Sequence, residues 1–287
     1  MNVSANDILL QLADFRNQAL NTLLGTTSED SKKTSSSSSF SQILDSKMAG
    51  TTGSSTNGMN MSLNDPASGY NMMSFINNSE VQFKAQYSEL SAMDTAVGTL
   101  ETAGQQLGDK VDASTSNSDI KAQLQGFVDQ YNSWIDRFGG DVKSGGILDG
   151  VQAGEASMFE LEQNINNIFN GAADGIHGMG DLGITIDPTT KRATFDSSRL
   201  DSALASNKTG VVNAIDQFSA NFAKSADLLN DDGNFIHNAM DNRSRAISYI
   251  ENNKTSLQAE FGTGATASAT GQVAQALAAY EKAHSTT

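Results

Sequence analysis

The chain has 287 residues, and 33 Asp and Glu against 18 Lys and Arg give it a formal net charge of −15. Phosphate recognition needs clustered basic side chains, and no Lys/Arg run exceeds Lys32-Lys33, so nucleic acid is excluded as a partner. An acidic surface is equally unsuited to anionic lipid, and the lack of cysteine removes disulfides, thiolate metal sites and cysteine nucleophiles together.

The hydrophobic share of 38% falls below the roughly 45–50% usual for globular domains, which suits one or two modest cores rather than a single large one. No apolar stretch approaches the roughly 20 residues that span a bilayer, so a soluble chain is expected. Asp7 and Asp14 flank the short Ile8-Leu9-Leu10 run, and no Lys or Arg cluster precedes it. Export, if it occurs, is therefore expected to proceed without a cleaved signal peptide.

Ser4-Ala5-Asn6-Asp7 has capping-box spacing, and Ile8, Leu12, Phe15, Ala19 and Leu23 follow at three- and four-residue steps, predicting an amphipathic helix over residues 1–25. Residues 26–75 are rich in Ser, Thr, Gly and Asn, with five serines in a row from Ser35 to Ser39. Such a composition cannot bury enough apolar surface to offset chain entropy, so a flexible, disordered tether is expected. The island Phe40-Ser41-Gln42-Ile43-Leu44 within it is either a transient turn or a docking motif.

Residues 76–261 are expected to form a helical bundle. Phe83, Leu90, Val97, Gly104 and Val111 fall in one heptad column and Met93, Leu100 and Leu107 in the other, which predicts a long helix in a coiled coil or bundle. Ser116 and Asp119 cap a second helix whose stripe holds Ile120, Leu124, Phe127, Val128, Tyr131, Trp134, Ile135 and Phe138, with Gly139-Gly140 as its stop. Trp134 is in phase with that stripe and is expected in the core. Met158, Leu161, Ile165, Ile168 and Phe169 predict a third helix ending at Gly171.

The period then changes to two. Ile184-Thr185-Ile186 and Ala193-Thr194-Phe195 alternate around a turn at Pro188-Thr189-Thr190-Lys191, predicting a β-hairpin over 182–196. Asp196 is placed to cap the next helix, with Leu200, Ala203 and Leu204, and another helix carries Val211, Ile215, Phe218, Phe222 and Leu229 up to Gly233. A last long helix, from about Ile236 to Phe261, has the seam Ile236, Met240, Ile247, Ile250, Leu257 and Phe261, interrupted by Arg243 and Lys254. Charge in a seam weakens self-association while fixing register, so a helix completed by neighbours is expected. Residues 262–287 read as a flexible tail: a small-residue hinge from Gly262 to Gly271 and a weak helix with Val273, Ala276, Leu277 and Tyr280.

Catalytic and cofactor patterns are missing. His177, His237 and His284 lie in three separate segments with no carboxylate at metal-ligand spacing on the same face. Gly178-Met179-Gly180-Asp181-Leu182-Gly183 has the letters of a dinucleotide fingerprint but follows a helix and enters a strand, the reverse of the required context. Asp227, Asp231 and Asp232 lack the spacing of a calcium loop. No metal, cofactor or enzymatic activity is expected.

Two passages carry a resemblance. Gly126-Phe127-Val128-Asp129-Gln130-Tyr131-Asn132 resembles the Phe-Val-x-x-Tyr-Asn helix of the flagellar hook-associated protein 2 family, the filament cap. Leu182-Gly183-Ile184-Thr185-Ile186-Asp187, Ala193-Thr194-Phe195-Asp196 and Leu200 with Ala203-Leu204 are similar to the C-terminal signature of that family. The turn Pro188 to Arg192 departs from the family's short Asp-Gly type, and the β-rich domains inserted before the Tyr-Asn helix have no counterpart, which implies a shortened relative. The resemblance implies a structural, secreted protein of the bacterial flagellum that serves motility, exported through the flagellar type III channel. Its implied partners are axial filament subunits and an export chaperone or apparatus, and a homo-oligomer is compatible with it.

The expected fold is thus mainly α, a helical bundle or coiled coil with one β-hairpin and a flexible Ser-rich linker near the N-terminus. Candidate partner-binding residues are Ile8, Leu12 and Phe15 at one end and Met240, Ile247, Ile250 and Leu257 at the other, with packing inside one chain as the competing reading. An intracellular helical module that regulates assembly and a type III secretion tip or translocator-like protein are the alternatives.

Overall fold

The computed structural model describes residues 65–168 and 175–285. The expected N-terminal helix with Ile8, Leu12 and Phe15, and the island at Phe40 to Leu44, lie outside the described residues. In chain order the elements are α1 (Pro66–Lys110), α2 (Asn117–Phe138), α3 (Gln152–Asn166), β1 (Ile184–Ile186), β2 (Ala193–Phe195), α4 (Ser197–Asn230), α5 (Phe235–Phe261) and α6 (Gly271–His284). The fold is mainly α with a single two-stranded antiparallel hairpin among the described residues. It divides into two compact units: Ser88–Met240, and residues 65–87 together with 241–285.

Helix α1 starts at Pro66, so residues 66–75 are helical and the expected tether boundary at 75 is corrected. The local cause is Asp65, whose Oδ1 accepts the Ser68 N–H at 3.2 Å, with Pro66 in the first helical position where its missing N–H is harmless. An Asp-Pro pair is a helix start as readily as the end of a loop.

The unit Ser88–Met240 is built around both heptad columns of α1 and the stripe of α2. Leu90, Met93, Val97, Leu100 and Leu107 are buried, as are Ile120, Leu124, Phe127, Trp134 and Phe138. Ser116 caps α2 by accepting the Asp119 N–H at 3.1 Å. The Phe127 ring meets Phe218 and Phe222 of α4 edge to face, with centroids 5.2 and 4.9 Å apart, the arrangement that aromatic quadrupoles favour.

Helix α3 buries Leu161 and Ile165 as expected but stops short of its expected end. It ends at Asn166, Ile168 is exposed beyond it, and Phe169 and Gly171 lie outside the described residues. Its buried positions are Ala153, Gly154, Ser157, Leu161 and Ile165, so small residues extend the face toward the N-terminus while Met158 is half-buried. A Cβ on Gly154 would lie 3.1 Å from Val142 Cγ2, so the lack of bulk permits close packing there. Helix α3 packs on α4 and on β1.

Helix α4 is two helical segments joined at Asn207, whose backbone is non-helical (φ −155°, ψ 75°). Asp196 caps the first, accepting the Ser198 and Arg199 N–H groups, and Asn207 Oδ1 accepts the Gly210 N–H at 2.9 Å to start the second. The two helical segments in this region match the two separate apolar patterns of the sequence.

In the other unit, Met73 and Ile76 of α1 form a core with Ile250, Leu257 and Phe261 of α5, flanked by Met72, Phe75 and Phe83. Residues 262–270, expected as a hinge, are tied to α1: Asn77 Nδ2 donates to the Thr263 and Ala265 carbonyls at 3.2 and 2.8 Å, and the Ala265 N–H donates to Ser74 Oγ at 2.7 Å. Gly264 has φ +63°, and a Cβ there would meet Ser74 N at 2.5 Å, so the close approach requires glycine. Helix α6 buries Ala276 and adds an aromatic contact in which Tyr280 lies edge-on to Tyr87 and is stacked on His284.

Candidate functional site

The most determined polar geometry lies where α2 meets the hairpin. Asn132, buried on α2, donates from Nδ2 to the Ala193 carbonyl at 2.9 Å and accepts the Ala193 N–H at Oδ1 at 2.7 Å. One side chain thus satisfies both backbone groups of a β2 residue, as a neighbouring strand would. The hairpin pairs Ile184 with Phe195, Thr185 with Thr194 and Ile186 with Ala193, and buries Ile184 and Ala193 against the helices.

The hairpin's two ends are fixed differently. At its base the Asp196 N–H donates to the Gly183 carbonyl at 2.8 Å, Gly183 has φ +86°, and a Cβ there would collide with the Asp196 carbonyl oxygen at 2.3 Å. At its tip Asp187 Oδ1 accepts the Thr189 and Thr190 N–H groups at 2.9 and 2.6 Å, and Lys191 takes a left-handed φ of 63°. These backbone bonds hold the Asp187 carboxyl below its usual range, with the Thr190 amide the largest contributor. Ion pairs Lys191–Glu162 at 3.0 Å and Arg192–Asp136 tie the tip to α3 and α2. Beside the anchor, burial pushes the Tyr131 phenol well above its ordinary value, with the nearby Glu162 charge adding to the effect.

The candidate seam of α5 is largely occupied by the chain itself. Ile247, Ile250 and Leu257 are buried, Ile250 and Leu257 within the cluster containing Met73 and Ile76, and Met240 is half-buried. Arg243 is buried too, its Nε donating to Gln86 Oε1 at 3.2 Å, and burial pulls its guanidinium down to about 10. Lys254 instead sits at the edge of the seam and pairs with Glu80 at 3.2 Å, in a network where Lys84 binds Glu80 and Glu251, each at 2.7 Å.

The three histidines occupy separate places. His177 lies 3.5 Å from Asp181, His284 stacks on Tyr280, and His237 bridges Asp94 and Asp232 through its two opposite ring nitrogens. Opposite nitrogens cannot converge on one ion. Among the described residues no group of three His, Cys, Asp or Glu is arranged to hold a metal, and no helix is long and apolar enough to cross a membrane. The Gly178–Gly183 loop leads into β1 rather than into a helix, so it lacks the context of a dinucleotide fingerprint.

Asn132 and Ser219 are the polar residues whose roles the sequence reading missed. Ser219 Oγ donates to the Gly104 carbonyl at 2.6 Å and accepts the Gly108 N–H at 3.1 Å. The signal was a polar residue inside an apolar stripe: Asn132 beside Tyr131, and Ser219 between Phe218 and Phe222.

The side chains with the best-defined geometry bond to backbone, helix to hairpin and helix to helix. They define an architectural helical protein, one whose polar groups set the positions of its own elements. A family model described as the flagellar hook-associated protein 2 C-terminus matches residues 99–282, well over half of the chain, and the chain belongs to that family. No curated protein matches it. Among solved structures, the crystal structure of the flagellar cap protein FliD, domains D1-D2-D3, from Escherichia coli is similar at 21% sequence identity, with a TM-score of 0.40. That match covers 45% of this chain and 37% of the FliD chain.

Proposed function

We propose that this chain is a structural protein of the bacterial flagellum, related to the filament cap, that acts by helix–helix association with axial subunits. The observation that carries the reading is the family match over 99–282, which contains the Asn132 anchor, the hairpin and the α4 helices. A role in assembly suits an anchor whose amide nitrogen and oxygen both bond to the Ala193 backbone and so fix the hairpin on α2.

Within this reading the candidate residues divide. Ile247, Ile250 and Leu257 serve by holding α5 within the chain's own core, whereas half-buried Met240 and the N-terminal residues Ile8, Leu12 and Phe15 remain for a partner. The protein reaches the flagellum by type III export without a cleaved signal peptide, in contact with an export chaperone or apparatus, and assembles there with axial subunits and with copies of itself.

Mass spectrometry of sheared, purified flagella and of culture supernatant, compared with the same fractions from an export-deficient strain, tests the proposal. Export-dependent presence in either fraction is expected. Retention in the cytoplasm of both strains would overturn it in favour of an intracellular binding module, and recovery from host-cell membranes would favour a translocator-like role.

A further inference from the structure

In the unit Ser88–Met240, two carboxylates that are almost out of contact with water share one guanidinium nitrogen. Arg137 Nη1 lies 2.6 Å from Glu89 Oε1 on α1 and 2.9 Å from Asp141 Oδ2, just beyond the end of α2. Glu89 is 5% exposed and Asp141 1%, while the Arg137 side chain is about half exposed and lies over the Phe138 ring, 4.6 Å from its centroid. Were both acids ionised, the cluster would carry one uncompensated negative charge in a site that cannot solvate it. Asp141 Oδ1 and, despite its closeness to Arg137, Glu89 Oε1 are also buried without a hydrogen bond from the chain. A single proton removes both difficulties.

We infer that Glu89 is neutral in the folded protein and donates its carboxyl hydrogen to Asp141, which pairs with Arg137, so that one proton clasps α1 to the loop behind α2. Burial is the largest influence on Glu89 and raises its carboxyl above the ordinary value of 4.5. Arg137 on α2 opposes that rise through its hydrogen bond and charge, and Asp141 reinforces it. These are the charged groups that act most on Glu89, and the desolvated site lets burial prevail.

The clasp sets a direction for pH dependence. A carboxyl raised on folding gives stability that is complete below its unfolded value of 4.5 and is lost as pH rises through the folded value. Across that window one extra proton on the folded protein changes the unfolding equilibrium constant by up to about tenfold per pH unit.

The test is urea denaturation of the full chain between roughly pH 4 and pH 8, wild type against E89Q, which keeps the shape and presents an amide N–H to Asp141 without a titrating proton. The acidic background of the chain is common to both proteins and cancels in the ratio of their unfolding constants. That ratio is expected to shift against wild type, by several-fold, as pH rises; a constant ratio overturns the proposal. Should E89Q not fold, the carbon-13 shift of the Glu89 side-chain carboxyl in the wild-type protein decides instead. A neutral-acid shift persisting above about pH 5 is expected, and ionisation centred near the ordinary glutamate value overturns the clasp.

Discussion

Ser219 on α4 donates its hydroxyl hydrogen to the carbonyl of Gly104 on α1, 2.6 Å away. The same hydroxyl accepts the Gly108 N–H at 3.1 Å. An α-helix joins a carbonyl to the N–H four residues on, so Ser219 contacts both members of one such pair in α1. Glycine permits this approach: a Cβ on Gly104 would meet the Phe222 ring at 2.9 Å, and one on Gly108 would meet Ser219 Oγ at 2.5 Å.

Gly108→Ala is therefore expected to push α1 away from α4 and to lower stability by about 1–3 kcal/mol, the usual cost of overpacking. Ser219→Ala, which removes the hydroxyl without adding volume, is expected to cost about 1 kcal/mol. Urea midpoints of the two variants check the order, and a Gly108→Ala protein as stable as wild type would show that the helices do not touch there.

Asn132→Ala strips both hydrogen bonds from Ala193 and leaves a buried N–H and carbonyl without partners. The expected loss is about 2–4 kcal/mol, since each orphaned group carries its own desolvation penalty. Amide exchange at Ala193 should accelerate sharply while α5 amides in residues 241–261 keep their protection. Unchanged exchange at Ala193 would assign the anchor to the strand pairing alone.

Ile250→Asp places a carboxylate among Met73, Ile76, Leu257 and Phe261. The substitution should cost more than about 3 kcal/mol, through lost burial and an unpaired buried charge, and expose the C-terminal half of α5 to limited proteolysis. A variant that resists protease yet fails to reach the flagellum would instead place this residue at an intermolecular contact.

Asp187 predicts an acid-side response at the hairpin tip. Its carboxyl is held below the ordinary 3.8 by the Thr190 and Thr189 groups it accepts, so the turn's extra stability is present above that value and is lost as pH falls through the folded one. The amide shifts of Thr189 and Thr190 should titrate together with a midpoint below 3.8. A midpoint at or above it would mean that the carboxylate is not the turn's acceptor.

Much of this fold was legible in the one-dimensional pattern. The heptad columns of α1, the stripe of α2 with its Ser116 cap, the period-two hairpin and the Asp196 cap all depend on contacts within a few residues, where side-chain spacing and backbone geometry are coupled. The start of α1 was misread because Asp65-Pro66 ends a Ser-rich stretch and opens a helix with the same two residues. The N-terminal part of the α3 face was not anticipated because Ala153, Gly154 and Ser157 mark close packing through small size, which a search for large apolar residues passes over.

The sequence by itself determined the helical class, the one hairpin, the expected core position of Trp134 and the family resemblance, because each follows from local periodicity or from an ordered run of residue types. Only the tertiary structure decided what fills the α5 seam, which strand residue Asn132 holds, and why Gly104 and Gly108 stand opposite Ser219. Those partners are separated by 61 residues for Asn132 and Ala193, and by 115 for Gly104 and Ser219. A pattern of residue types records that a face is apolar or that a polar residue interrupts it, but the identity of its partner is fixed when chain folding brings distant segments together.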